Sequence, residues 1–329
     1  MKSYSRLALC IPLALVAVLF LAASHLNPTP GLTAVQAAGQ DQAPPPPDQG
    51  PDPAAVNQAP DTTGQGPGGQ SYTTEAPPAG AQNPDDSGYA EQPTEEATQP
   101  PPPLPDYAQP PAPDEGYIWT PGYWGWGPYG YYWVPGVWVE PPYVGGLWTP
   151  GYWGFYGGRY LFYPGHWGFH MGWYGGINYG FGYVGFGYEG GYWNSGHFFY
   201  NRVYNNINGR AVHNVYSYRA NVRVNNNVRV NNNVRVNNGA RPSYRGGPNG
   251  VQSQPRPSEG NAYREPTAPR MNTQVQHEQN YSTQRGQYAS PNSRPATTAE
   301  TRPLHADQHV TPQVRSGGGG GGGRSGGHR

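Results

Sequence analysis

The chain has 329 residues, a formal net charge of zero, 49 Gly, 40 Pro and only 12% charged residues. Gly and Pro above a quarter of a chain mark low complexity, which excludes the two conventional domains that the length alone would suggest. So few charges also leave little from which to build a solvated enzyme surface. The neutrality hides an asymmetry: Asp41 to Glu115 holds 13 acidic residues and no Lys or Arg, whereas Asn201 to Arg329 holds 17 Arg and 5 acidic residues, a formal +12. Like charges keep such arms extended and soluble. Alternatively, the basic arm meets an anionic polymer such as phospholipid headgroups, acidic polysaccharide or nucleic acid.

Residues 1–37 read as a secretory signal. Lys2 and Arg6 precede an unbroken apolar run from Leu7 to Ala23, and small-residue cleavage sites follow at Val35-Gln36-Ala37 or Ala22-Ala23-Ser24. An uncleaved N-terminal anchor is the alternative. The chain is therefore expected outside the cytoplasm, in the periplasm, outer envelope or medium. Cys10 is the only cysteine and sits inside the run, so cleavage would leave no thiol for a disulfide, a zinc site or a nucleophile.

Residues 38–115 are rich in Pro, Gln, Asp and Gly and nearly free of large apolar side chains, the composition of a disordered, locally polyproline-like linker. Residues 116–200 are the opposite: 10 Trp, 16 Tyr, 7 Phe and 24 Gly in 85 positions. Only this segment can bury a core. It carries a tandem motif: Trp119-Thr-Pro-Gly-Tyr-Trp124, Trp133-Val-Pro-Gly-Val-Trp138, Trp148-Thr-Pro-Gly-Tyr-Trp153 and Phe162-Tyr-Pro-Gly-His-Trp167, at intervals of 14, 15 and 14 residues. A divergent copy is Trp193-Asn-Ser-Gly-His-Phe198.

Pro-Gly is a turn dipeptide, so each copy is expected to be a hairpin turning at Pro-Gly, with Trp119 facing Trp124, Trp133 facing Trp138, and so on. Tyr117 would then oppose Trp126, and Gly191 would oppose Tyr200. Two-residue hairpins fit type I and II turns poorly, which argues for wider turns. One hairpin is marginal alone, so the copies must pack together. The expected fold is all-β: tandem Trp-rich hairpins in a small meander or barrel-like sheet, flanked by long disordered regions. Between Tyr179 and Tyr188, Gly alternates with aromatics, which suits either one aromatic face or a Gly-rich loop over the hairpins.

Residues 201–241 contain Val-Arg-Val-Asn-Asn-Asn recurring from Val222, Val228 and Val234. Val-Arg-Val suits a short strand and the Asn triplets suit turns, giving a low-complexity, partly β segment. Residues 242–329, with Gln, Ser, Pro, Arg and a terminal run from Gly317 to Gly323, read as a disordered tail.

These motifs resemble the bacterial YxWGxW or WxxGxW repeat proteins. The resemblance rests on the repeats, on Pro105-Asp-Tyr-Ala-Gln-Pro-Pro-Ala-Pro113, Tyr174-Gly-Gly-Ile-Asn-Tyr-Gly-Phe-Gly-Tyr183, Gly190-Gly-Tyr-Trp193, Phe199-Tyr-Asn201 and Ser243-Tyr-Arg-Gly-Gly-Pro248, and covers about residues 100–250. It implies an exported protein and carries over no catalytic residue.

No cofactor or metal is called for. Glu140 and Glu189 are the core's only acids, and nothing in the sequence joins them as a glycosidase pair, so glycoside processing is a minor alternative. His166 and His170 have metal spacing only on a helix, and Pro-Gly context argues for strand. The aromatic surplus is the functional lead. So small a domain has little interior, so some rings should be exposed and form an interaction patch. Trp126 and Trp173, outside the regular pairs, are the candidate ligand-stacking residues. Trp119, Trp124, Trp133, Trp138, Trp148, Trp153, Phe162, Trp167, Trp193 and Phe198 are the structural ones. The expected role is non-enzymatic, structural or adhesive, with cell-wall or extracellular polysaccharide as partner. Self-association or an envelope protein partner is the alternative; export makes single-stranded nucleic acid the weakest candidate.

Overall fold

A computed structural model describes residues 50–60, 92–220, 223–224, 228–229, 241–290, 295 and 297–307. The expected signal segment with Cys10, the repeat from Val234 and the terminal Gly run lie outside the described residues. Among the described residues strand predominates over helix, in several small sheets that are largely antiparallel, and no closed barrel forms.

In chain order, β1 (Glu95–Ala97) precedes β2 (Ile118–Thr120), β3 (Tyr123–Gly127), β4 (Gly130–Val134) and β5 (Val137–Val139). β3 pairs with β4 and β2 with β5. The two pairings share one register, from Ile118↔Val139 through Trp119↔Trp138 to Trp124↔Trp133 and Gly127↔Gly130. They therefore form a single long hairpin built from two motif copies. β6 (Leu147–Thr149), β7 (Tyr152–Tyr156), β8 (Arg159–Tyr163) and β9 (His166–Gly168) repeat the plan, with Trp148↔Trp167 and Trp153↔Phe162.

This corrects the predicted hairpins. Trp119 faces Trp138 rather than Trp124, and Trp148 faces Trp167 rather than Trp153. Tyr131 opposes Trp126, the place the spacing assigned to Tyr117. The reason is proline's fixed φ. A twist-matched two-residue hairpin turn of type I′ needs positive φ at both central residues, which Pro cannot adopt. The real turns are Gly157-Gly158, with φ 56 and 85°, and Pro128-Tyr129 followed by Gly130 at φ 101°. Only the divergent copy turns where predicted. In the hairpin of β12 (Gly191–Asn194) and β13 (His197–Asn201), Ser195-Gly196 carries φ 50 and 80°, and Trp193↔Phe198 and Gly191↔Tyr200 pair as expected.

Each Pro-Gly instead lies between the two strands of one hairpin arm, opposite the Pro-Gly of its partner copy. Proline cannot donate to the ladder, so pairing breaks there on both strands at once. The glycines let the two backbones close. A Cβ at Gly122 would meet the Trp133 ring at 2.4 Å and Gly136 N at 2.9 Å; one at Gly165 would meet the Trp148 ring at 2.4 Å and Gly151 N at 2.8 Å. The first aromatic of each copy thus covers the partner's glycine: Trp119 over Gly136, Trp133 over Gly122, Trp148 over Gly165, Phe162 over Gly151. The second Trp donates its indole N–H away from the crossing. Trp124 reaches Pro103 O (3.2 Å), Trp138 Pro110 O (2.9 Å), Trp153 Trp124 O (2.7 Å) and Trp167 Gln274 Oε1 (2.9 Å). The motif is a two-copy crossing with one ring capping glycine and one ring anchoring outward.

The hairpins pack through Tyr123 stacked on Phe162 (5.5 Å, 9°) and Tyr131 edge-on to Trp153 (5.1 Å). Between them and the third hairpin run β10 (Asn178–Gly180) and β11 (Tyr183–Val184). This Gly-aromatic stretch is the loop over the hairpins, and positive φ at Gly180, Phe181 and Gly182 bends it. Its tyrosine hydroxyls satisfy main-chain carbonyls below: Tyr179 donates to Gly151 O and Tyr183 to Trp119 O, each at 2.7 Å.

The folded part extends beyond the predicted 116–200. β1 pairs with β8. Tyr107 sits against Trp133 and Phe181 and accepts the Gly122 N–H at 2.9 Å. β14 (Val215–Tyr216) adds in parallel to β13. β15 (Arg223–Val224) and β16 (Val228–Arg229) pair antiparallel, as expected of short strands on either side of an Asn triplet. β17 (Tyr244–Arg245) adds in parallel to β7, helix α1 (Pro257–Ala262) and β18 (Thr267–Pro269) follow, and helix α2 (Asn272–Ser282) packs near β4. The described residues of 92–115 and 241–307 are thus part of the folded body rather than linker and tail. Charge supplies one reason: Arg241 of the basic arm faces Asp106 of the acidic arm at 3.5 Å, and Arg270, which pairs with Glu278 of its own arm, also attracts Glu95. The acidic and basic arms meet each other on the aromatic core.

Candidate functional site

The predicted exposure of surplus rings is met only in small part, since most rings are buried and eleven are partly covered. Of the 33 aromatic side chains in 116–200, only Tyr129, at 58%, is exposed. The arms supply the covering surface that an 85-residue domain would lack. Trp173 is 1% exposed and receives a hydrogen bond from the Tyr263 hydroxyl at its carbonyl (2.6 Å); it cannot stack on a ligand. Trp126 is half-buried, edge-on to Tyr131 at 4.8 Å, and its backbone N–H donates to Glu95 (2.8 Å). The ten predicted structural aromatics all line or abut the core.

The polar candidates are dispersed. Glu140 accepts from Ala306 N (3.1 Å) and faces His305, whereas Glu189 is buried beside Asp52. The two do not form a pair. His166 is buried in β9, and His170 bonds Glu265 at 2.7 Å. Among the described residues no group of three His, Cys, Asp or Glu is placed to hold a metal, and no helix is long and apolar enough to cross a membrane.

The surface best suited to a ligand is the outer face of the third hairpin. β-pleating sends Trp193 and Phe198 into the core and their neighbours outward. Tyr192 and Phe199 pair across the strands and stack at 5.4 Å and 15°, and Tyr216 on β14 meets Tyr192 edge-on at 5.2 Å. All three are only partly covered. Asn194, Ser195 and His197 at the turn are exposed.

Carboxylates lie at the margin of this face. Asp52, which caps a short 3-10 turn by accepting from Ala54 N (2.9 Å), comes within hydrogen-bonding reach of Glu189. Burial, and then the neighbouring Asp52, push the Glu189 carboxyl up to about 8, with Arg256 opposing. The protonated form of Glu189 is thereby favoured. The buried Glu189 Oε2 and Tyr216 hydroxyl have no hydrogen-bond partner among the described residues, and burial, followed by Asp52 and Glu189, raises the Tyr216 hydroxyl. The stacked ring pair offers an apolar platform, and the exposed Asn194, Ser195 and His197 at the turn offer polar groups beside it. Sequence reasoning missed this face because Tyr192 and Phe199 lie between motif positions and Asp52 lies in the segment read as linker. Alternation within the one correctly predicted hairpin was the signal that could have found the ring pair.

No protein family, no curated protein and no solved structure matches the chain.

Proposed function

We propose that the chain is an exported, non-enzymatic structural or adhesive component of the cell envelope or extracellular matrix, docking on polysaccharide through the Tyr192–Phe199–Tyr216 face. The observation that carries this reading is the stacked, partly exposed Tyr192–Phe199 pair, with Tyr216 edge-on to it and the exposed polar turn Asn194, Ser195 and His197 beside it. Pyranose C–H faces suit aromatic rings, and sugar hydroxyls suit the exposed Asn194, Ser195 and His197 at the turn. The resemblance to exported YxWGxW repeat proteins and the basic, apolar N-terminus support the compartment.

The test is co-sedimentation of the chain with purified cell wall and exopolysaccharide, beside a tube without polymer. Pelleting only with polymer, competed by soluble oligosaccharide and lost in Tyr192→Ala and Phe199→Ala, is the expected result. Retained pelleting in both variants would remove this face from the reading. Pelleting without polymer favours the second reading, self-association. That reading rests on a separate observation, the peptide 50–60 seated in a groove of the same body.

A further inference from the structure

The segment 50–60 is a short peptide seated in a groove of the folded body. Three of its side chains, Ala54, Asn57 and Ala59, are 1–3% exposed. Asn57 is the anchor: its Nδ2 donates to Tyr188 O (2.8 Å) and Gly191 O (2.7 Å), and its carbonyl accepts from Met171 N (2.8 Å). Asn261 donates to Pro60 O (2.7 Å), Ser258 reaches Gln58 (3.4 Å), and Asp52 lies against Glu189. The groove is thus made by residues 171–191 and helix α1, and recognition is by main-chain and side-chain hydrogen bonds around one buried Asn.

All of these contacts are non-covalent. Residues 61–91, a stretch of 31, join the docked peptide to Gln92 on the path to β1. A stretch of that length spans at most about 100–110 Å when extended. A folded body of roughly 200 residues has a radius of gyration of only about 16–17 Å. A neighbour's groove is therefore within reach, and the same hydrogen bonds form whether peptide and groove belong to one chain or two. Each copy carries one peptide and one groove, so exchange joins copies head to tail, and a head-to-tail contact that does not close on itself extends.

We infer that the segment 50–60 is an exchangeable clasp that occupies the groove of a second copy of this chain and links copies into open chains. The clasp deepens the structural half of the function proposed above and rests on it for its use. It competes with its own in-chain seating, whose effective concentration for a tether of this length is in the millimolar range. Linkage therefore requires high local density, as at a surface.

The test uses the full chain with Cys10→Ser. One tagged copy carries Pro60→Cys and a differently tagged copy carries Asn261→Cys, so that a short bis-maleimide bridges peptide to groove only between chains. The expected result is a covalent heterodimer that rises with concentration, exceeds both homodimers, and falls about tenfold when the first copy also carries Asn57→Ala, which removes two hydrogen bonds. A chain bearing both cysteines, at high dilution, bridges within itself and shows that the seat survives substitution. Absence of the heterodimer, a yield indifferent to Asn57→Ala, or no bridging in the double-cysteine chain would each overturn the clasp. No polymer is present, so failure here leaves the polysaccharide assay to decide the docking reading by itself.

Discussion

The crossing of paired Pro-Gly steps makes a specific demand on Gly122. In Gly122→Ala the new methyl meets the Trp133 ring at 2.4 Å, Gly136 N at 2.9 Å and Val134 O at 2.9 Å. Ordinary contact begins near 3.4 Å, so the ring must retreat by about 1 Å while two backbone atoms of the partner strand also move. Overpacking of this kind costs about 1–3 kcal/mol, and a body of this size loses about 2–4 °C in Tm for each kcal/mol. Denaturant unfolding and thermal melts read the effect, with Gly209→Ala, whose Cβ meets nothing within 4 Å, as the control. Trp133→Phe shortens the offending ring, so Gly122→Ala should cost less in that background, by about 0.5–1 kcal/mol of coupling. A Gly122→Ala variant as stable as the Gly209→Ala control, or strict additivity with Trp133→Phe, would refute the crossing.

A double-mutant cycle on Trp119 and Trp138 is expected to give about 0.5–1.5 kcal/mol of coupling, and a cycle on Trp119 and Trp124 much less, because only the first pair faces across strands. Arg270→Ala should destabilise by about 3–5 kcal/mol, since it strands the buried Glu278 carboxylate that Arg270 holds near Tyr123; urea midpoints check it. Glu189 sets a pH dependence. Its carboxyl is raised from 4.5 to about 8, mainly by burial, so the native chain keeps a proton that the unfolded chain releases. Its contribution is therefore full below pH about 4.5 and lost as pH rises through about 8. Melts across that window should show stability falling with pH and a flatter profile in Glu189→Gln. Tyr107→Phe should cost about 1–3 kcal/mol by leaving the Gly122 N–H without its acceptor, read in the same melts.

What the sequence determined by itself was local. The concentration of Trp, Tyr, Phe and Gly between 116 and 200 fixed where the core lies, and the alternation about Ser195-Gly196 fixed the one hairpin whose turn residues accept positive φ. The four Pro-Gly copies announced strands but not partners. Proline's φ forbids the tight turn, and the partner of Trp119 lies 19 residues away at Trp138, a choice decided by how two backbones close over glycine. The intervals of 14, 15 and 14 held a trace of that pairing, since the odd interval falls between the two hairpins. The candidate site was the least legible. Whether an aromatic ring is covered depends on segments such as 92–115 and 241–307, whose polar, Pro-rich composition gives no periodicity. They order only because aromatic rings, indole N–H groups and buried acids elsewhere in the chain supply partners. Trp173 and Tyr192 look equally available in the sequence; tertiary packing alone put one in the core and the other at the surface.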